Sequence, residues 1–495
     1  MKNGKPKGDK KNVLNKDTLI KSFFLILSSS VLGLSILWGK AYSIETLIGT
    51  FLIIVVLLAV FYRDMMRYKP EIRQDYTQIF LIVLLLSANL LLGRTFYYVL
   101  EGFTEWLGTI NPSLPVYAIP LATGSMLAAL LIDIHAAILF TVITSLIAGL
   151  WLNSPLYAIF TFVGGLTATF SVIRCKKRSA IWRAGLYIGL VSMLTSFIIS
   201  LLSANLFNAD MLVSMIAAFM NGMIVAVFVS ALLPLFEHFF KLTTDISLLE
   251  LLDLNHPLLH ELLVEAPGTY HHSVVVGNLV ETAAEAVGVN PLLARVSAYY
   301  HDIGKVKMPE YFIENQVGPL SMHDKLTPRM SSIILIGHIK EGVEMAKKHK
   351  LPNSIIDIMQ QHHGTSVQTY FYERAKEQQE ESAAQVSRDD FRYPGPKPRT
   401  RVAALVLMAD AVEAASRVLY DPTSTRVSAL VEKIINHCFI DGQLDNCELT
   451  LKDIREIKIG FVYMLTSIYH KRIDYPGFQM NNEDTPKEPA KTQAY

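Results

Sequence analysis

Charge is scarce in this chain. Only 18% of its 495 residues are Asp, Glu, Lys or Arg, 51% are hydrophobic, and mean hydropathy is +0.33. That balance excludes an ordinary soluble enzyme along the whole length and implies a membrane part joined to a soluble part. Cysteine is scarcer still. Cys175, Cys438 and Cys447 show no paired ligand spacing, which excludes a cysteine-built metal site and fits a reduced, cytosolic setting. Alternation with period two is nearly missing, so no sheet is expected. Internal repeats are missing too.

What charge there is divides unevenly. Residues 1–240 hold 18 basic and 11 acidic residues, net +7, which leaves 27 and 33, net −6, from totals of 45 and 44. A basic membrane half fits cationic flanks near anionic lipid. An acidic soluble half argues against binding long nucleic acid, whose phosphates demand a cationic surface.

Eight apolar stretches precede residue 235, near 19–38, 44–62, 77–95, 115–131, 134–152, 156–173, 184–204 and 211–232. A span needs roughly 20 apolar residues. The fourth is the weakest, because Pro115, Pro120 and Gly124 interrupt it; it is either broken or fused with the fifth around Asp133 and His135. Those two ionisable residues read either as an intramembrane site or, the preferred reading, as a short cytoplasmic turn. Basic residues cluster before the first stretch (Lys2 to Lys16), between the second and third (Arg63 to Arg73) and between the sixth and seventh (Arg174 to Arg183). With eight spans all three clusters share one side, which the positive-inside rule makes cytoplasmic, together with the C-terminal half. No small-x-small site follows the first stretch, so it reads as an uncleaved anchor.

From residue 241 the pattern turns helical and soluble. Ser273–Val287, Pro291–Tyr300, Ser331–Lys348, Asn353–Gln361, Arg401–Leu419 and Val427–His437 carry apolar residues at three- and four-residue spacing. Residues 373–400 are polar and end in a Pro-rich run, a loop excursion; the tail after about 477 has a disordered composition. The expected boundaries are a basic N-terminus at 1–18, a first span at 19–38, seven further spans within 44–232, linker helices at 233–265, a catalytic domain at 266–475 and a tail at 477–495. The fold class is all-α.

One dipeptide, His301-Asp302, can offer an imidazole and a carboxylate to a metal, and the carboxylate can reach a second ion. Alone it means little. Around it lie His272, His338, the pair His362-His363 and Asp410, the last inside the apolar run Val402–Val412 where an unpaired carboxylate is costly to bury. Taken singly, each histidine is more simply a structural or surface residue, and Asp410 a helix cap or a partner of Arg417. His271 cannot share the direction of His272, so one of the two belongs behind the site. His323 sits in a polar segment and reads as surface, and His238, His256, His260 and His349 as linker or solvated positions.

The order His272, His301-Asp302, His338, His362-His363, Asp410 resembles the HD superfamily of metal-dependent phosphohydrolases. More narrowly the chain resembles the PgpH-type seven-transmembrane-receptor HD family, whose members hydrolyse cyclic di-AMP. The strings that carry this are Asn255–Leu259, Glu265–Ser273, His301–Lys305, Gln361–Thr365, Asp390–Pro398 and Ala409–Ala415. The resemblance implies an all-helical cytoplasmic HD domain below a polytopic membrane domain in a bacterial cell membrane. It implies two divalent ions, manganese or iron, one on His272, His301, Asp302 and Asp410, the other on Asp302, His338, His362 and His363, with Asp302 bridging. The ions would activate a water against one phosphodiester and open cyclic di-AMP to linear pApA. Asp302 and Lys305 are the catalytic candidates, Lys305 as a phosphate contact or a support for the leaving oxygen, against a solvated helix-end lysine. Arg417 is a further substrate candidate, and Tyr393 or Tyr270 a base-stacking one. A homodimer is compatible with this family. Its members carry a large outer ligand-binding domain after the first span; here only Gly39–Ser43 intervenes, so the resemblance is to a member without that sensor.

Three readings compete, the least favoured being a transporter or channel with an appended regulatory domain, since the spans hold few charged residues and no paired half-helix signals beyond the broken fourth. An HD enzyme for cyclic di-GMP would carry Gly-Tyr-Pro after the paired histidines, whereas Gly364 is followed by Thr365-Ser366-Val367; an alarmone is another substrate open to an HD fold. A non-catalytic nucleotide sensor predicts missing ligands, and all seven candidates are present.

Overall fold

The computed structural model describes residues 27–34, 36–37, 43–69, 76–107, 114–173, 175, 177–204, 209–316, 321–378, 386–420 and 422–469. The expected N-terminus (1–18) and tail (477–495) lie outside these residues. The expected first span falls within them only at 27–34 and 36–37, which are helical. The described residues are helices and turns, with a lone bridge between Val367 and Arg392. The chain divides into two compact units, Met1–His256 and Pro257–Tyr495.

The first unit contains α1 (Ile44–Tyr68), α2 (Tyr76–Leu107), α3 (Ala122–Leu131), α4 (Ile134–Leu152), α5 (Pro155–Ser171), α6 (Ser179–Leu202), α7 (Ala209–Phe240) and the short α8 (Asp245–Leu251). Among the described residues α1, α2, α4, α6 and α7 are long and apolar enough to cross a membrane, while α3 and α5 are apolar but shorter. Outward apolar residues such as Leu186, Leu190, Leu194 and Ile198 on α6 give it a lipid-compatible face. Helices α6 and α7 touch backbone to backbone. A Cβ on Gly222 would fall 2.2 Å from the Gly185 oxygen and from the Gly189 nitrogen, so the crossing requires glycine there.

The fourth apolar stretch is broken and is not fused with the fifth. Leu114–Ala118 forms a 3-10 turn, the chain passes Pro120, and α3 starts at Ala122. Prolines remove donors from the helical ladder, and two asparagines take up the freed groups. Asn89 donates to the Leu121 carbonyl and accepts from the Gly124 N–H, both at 3.0 Å. Asn221 donates to the carbonyls of Tyr117 and Ile119 at 3.0 and 2.9 Å. Asp133 caps α4 through the Ala136 N–H and pairs with Lys69 at 2.5 Å, while His135 meets Asp64 at 2.6 Å. Both residues thus serve a turn between helices.

The second unit contains α9 (Pro257–Glu265), α10 (Pro267–Val287), α11 (Pro291–Tyr300), α12 (Pro328–Lys348), α13 (Asn353–Gln361), α14 (Thr369–Glu377), α15 (Arg401–Ser416), α16 (Ser424–Ile440) and α17 (Leu451–Ile468). Four of them start on proline, which fits the first helical position; Asn290 and Thr327 cap two of these by side chain, and Thr400, Thr423 and Thr450 cap α15, α16 and α17. Helix α15 is central: every residue from Val402 to Asp410 is buried. Around it pack Val276, Leu279, Val280 and Ala283 of α10, Ala294 and Ala298 of α11, Val427 and Val431 of α16, and Ile457 and Phe461 of α17. Helix α14 and a 3-10 turn at Arg388–Phe391 occupy parts of what the polar composition suggests is all loop.

Candidate metal centre

Each candidate side chain is delivered by a helix end or a buried helix face. Helix α10 carries His272, and His301 closes α11, with Asp302 the next residue. Helix α12 carries His338 at mid-length, α13 ends at His362 with His363 beside it, and α15 brings Asp410 out of its apolar run. The turn after Asp302 has to slide against α12. A Cβ on Gly304 would lie 1.9 Å from the His338 oxygen, so glycine is required there. This gives the Ile303-Gly304 part of the string a steric reason.

These residues form two groups that can hold a metal ion: His272, His301, Asp302 and Asp410, and Asp302, His338, His362 and His363. Within each group, one ligand atom from every residue lies within 4.8 Å of the others. Asp302 is shared through different oxygens. Its Oδ2 faces His301 Nε2 at 3.2 Å and His272 Nε2 at 3.6 Å; its Oδ1 faces His338 Nε2 at 3.3 Å and His362 Nε2 at 3.7 Å. Asp410 spans both sides, with Oδ1 3.0 Å from His272 Nε2 and Oδ2 3.4 Å from His363 Nδ1. His272, His301, His338, His362, Asp302 and Asp410 are all buried; His363 is the more open member. His272 Nε2, His301 Nε2 and Asp302 Oδ1 are buried without a properly aligned hydrogen bond. Converging orphan lone pairs of this kind are costly unless a cation satisfies them, so the donor set fits divalent metals.

Electrostatics agree. Burial raises the Asp302 carboxyl, but the charges of His301 and Lys305 outweigh it and hold the group well below the usual carboxylate range. Asp410 is likewise held down, against its burial, by His272 and His301. Burial works to lower His301, yet the two carboxylates push it up to about 10. The other group is the reverse: burial dominates, drawing His338 down to about 4 and His363 well below the ordinary value. Neutral imidazoles with free lone pairs are what metal ligation needs.

Lys305 is not solvated. Its Nζ lies 2.7 Å from Asp302 Oδ2 and 2.8 Å from Glu314 Oε1, over the Phe312 ring. Glu314 in turn accepts from the Thr269 hydroxyl at 3.0 Å. Tyr393 stacks on His363, ring centroids 4.2 Å apart. Tyr270 makes its ring contact with exposed His271. Arg417 donates to Glu413 at 2.7 Å, so it is Glu413, not Asp410, that Arg417 pairs with. Glu413, which no sequence motif singles out, is buried and accepts from His272 Nδ1. In sequence it lies one turn after Asp410, just past the apolar run Val402–Val412. His271 is exposed, so the group behind His272 is Glu413 and not its neighbour. His323 corrects the surface reading: it is 7% exposed, packed between Tyr311 and Phe371 with Nε2 bonded to the Tyr311 carbonyl at 2.7 Å.

Comparison with known proteins agrees with this layout. Residues 44–244 match the family described as 7TM receptor with intracellular HD hydrolase, and residues 269–415 match the HD domain. The chain is 40% identical over 368 residues to the Cyclic-di-AMP phosphodiesterase PgpH of Bacillus subtilis, covering 73% of this chain and 51% of that one. It is 38% identical over 375 residues to the protein of the same name from Listeria monocytogenes, covering 75% and 52%. The crystal structure of the L. monocytogenes PgpH HD domain in complex with cyclic-di-AMP is 45% identical, covers 44% of this chain and 100% of that one, and has a TM-score of 0.42. The chain spans about half the length of the curated relatives it matches. With these two family models matched in order along the chain, the chain belongs to the family of 7TM receptors with an intracellular HD hydrolase.

Proposed function

We propose that this chain is a membrane-anchored, metal-dependent phosphodiesterase that hydrolyses cyclic di-AMP to linear pApA on the cytoplasmic side of the membrane. The observation that carries this is the pair of four-residue groups sharing Asp302, in a chain whose relatives are named for that activity. His272, His301, Asp302 and Asp410 would hold one ion; Asp302, His338, His362 and His363 the other. Nitrogen-rich donors with two carboxylates suit manganese or iron better than magnesium. Two such ions supply Lewis-acid charge to phosphate oxygens and a water of near-neutral pKa.

The protein's own contribution is charge and position. With the histidines neutral, as ligation requires, Asp302, Asp410, Glu413 and the half-buried Glu314 oppose Lys305 and Arg417, which leaves two net negative charges. Two dications turn that to two net positive charges, which matches a substrate with two phosphodiesters. Lys305, held between Asp302 and Glu314, keeps Asp302 ionised and aimed at both groups. Tyr393 backs the accessible His363 with one ring face and suits an adenine at the mouth of the site.

The test is a nucleotide panel. Full-length protein in detergent with manganese or iron is incubated with cyclic di-AMP, cyclic di-GMP and an alarmone, and products are separated by chromatography. Cleavage of cyclic di-AMP to pApA in preference to the others is expected. Cleavage of only another nucleotide would replace the substrate, and cleavage of none would overturn the reading.

A further inference from the structure

A ligand histidine is oriented by whatever its second ring nitrogen holds. Three of the five histidines here are held alike. Nδ1 of His301, His338 and His362 donates to the carbonyls of Ala298, Leu335 and Met359, three residues earlier, at 2.6, 2.5 and 2.6 Å. That arrangement is local, neutral and comes with the helix. In each case it leaves Nε2 facing Asp302.

His272 is held by another helix. Its Nδ1 donates to a carboxylate oxygen of Glu413, 141 residues away in sequence, and Nε2 is left facing Asp410 and Asp302. Glu413 is 3% exposed, and Arg417 binds its other oxygen at 2.7 Å. Asp410, Glu413 and Arg417 follow one another at three- and four-residue spacing, so one face of α15 carries all three. That face presents a ligand-type carboxylate, the carboxylate behind His272, and the cation that pins the second carboxylate. A carboxylate behind an imidazole makes the imidazole a stronger donor than a neutral carbonyl does. The group containing His272 also has Asp410 in addition to the shared Asp302, whereas the other group has three imidazoles and Asp302 alone.

We propose that Glu413 is a positioning residue that makes the two metal positions unequal, the ion at His272, His301, Asp302 and Asp410 being bound more tightly than the ion at Asp302, His338, His362 and His363. This rests on the dinuclear reading above and deepens it. Arg417 belongs to the same device, fixing Glu413 so that the unshared oxygen stays on His272. Substrate contact is not required of either residue.

The experiment is a manganese titration of the metal-free full chain in detergent, with free Mn²⁺ counted by electron paramagnetic resonance. The unaltered protein is expected to show two affinity classes. Glu413→Gln, which keeps the shape but removes the charge, should weaken the tighter class by about 10- to 100-fold and leave the weaker class in place. Arg417→Gln should act in the same direction on the same class, by less. Equal weakening of both classes, or no change in either, overturns the proposal while the dinuclear reading stands. If the unaltered protein takes up fewer than two ions, the dinuclear reading fails and the proposal with it. Should Glu413→Gln fail to fold, Arg417→Gln decides alone: a change confined to the tighter class supports the proposal, and a change in the weaker class or in neither overturns it.

Discussion

Asp302 is the residue on which the site turns, because its two oxygens face different groups. Asp302→Asn keeps the volume and removes the bridge's charge. It should release metal from both groups and lower turnover by well beyond the roughly 100-fold typical of residues behind a ligand, measured as metal content and as cyclic di-AMP cleavage of the same preparation. Lys305 makes a different prediction. It joins buried Asp302 to half-buried Glu314, and removing one partner of a buried pair costs about 3–5 kcal/mol. Lys305→Met should therefore lower the unfolding temperature of the metal-free protein; a purely solvated lysine would leave it unchanged. Acid–base behaviour gives a third. His301 is raised to about 10 by neighbouring carboxylates that outweigh its burial, from near 6.5 in an unfolded chain. Stabilisation from a raised group is full below its unfolded value and is lost as pH climbs through the folded one. Metal-free protein should thus unfold at lower temperature at about pH 9 than at about pH 7. Bound Mn²⁺ takes the place of that proton and should flatten the slope; calorimetry with and without metal reads this directly. The five histidines and two aspartates were legible because their residue types and order are themselves the signal. Glu413 was not, since its importance appears only when α10 and α15 are side by side, and His323 was misjudged because a polar neighbourhood in sequence conceals burial against Tyr311 and Phe371.

Helices place these residues, and their junctions explain the rest of the strings. The turn Ile303–Lys307 passes α12 at Gly304, where a Cβ would meet the His338 oxygen at 1.9 Å. Gly304→Val should push Asp302 and His338 apart, so a loss of metal from the group containing His338 is expected, with a destabilisation of roughly 1–3 kcal/mol or more from overpacking. Retained metal affinity would show that the turn tolerates the shift. Helix type followed from periodicity for α10 through α13, α15 and α16, while starts moved earlier where a proline opens the first turn, as at Pro267 and Pro328. Helix α14 escaped because Thr369–Glu377 is largely polar, with Phe371 its one buried residue. In the membrane unit, the prolines signalled a weak fourth stretch, but the break itself depends on Asn89 and Asn221, whose partners lie 32 and more than 100 residues away.

At the scale of the whole molecule, the apolar composition and the switch of pattern near residue 241 separate a membrane unit from a helical one, and the structure divides at His256 and Pro257. Family matches cover both parts in order. The acidic balance of the second part, which speaks against long nucleic acid, acquires a local meaning at Asp302 and Asp410, two carboxylates in groups that could hold metal ions. The central claim is that an Asp302-centred pair of metal positions cleaves cyclic di-AMP. The most direct measurement compares single-turnover cleavage of cyclic di-AMP by manganese-loaded full-length protein and by Asp302→Asn, with product followed by chromatography. The unaltered protein should give pApA and the variant none above background. Equal cleavage by both would contradict the central claim.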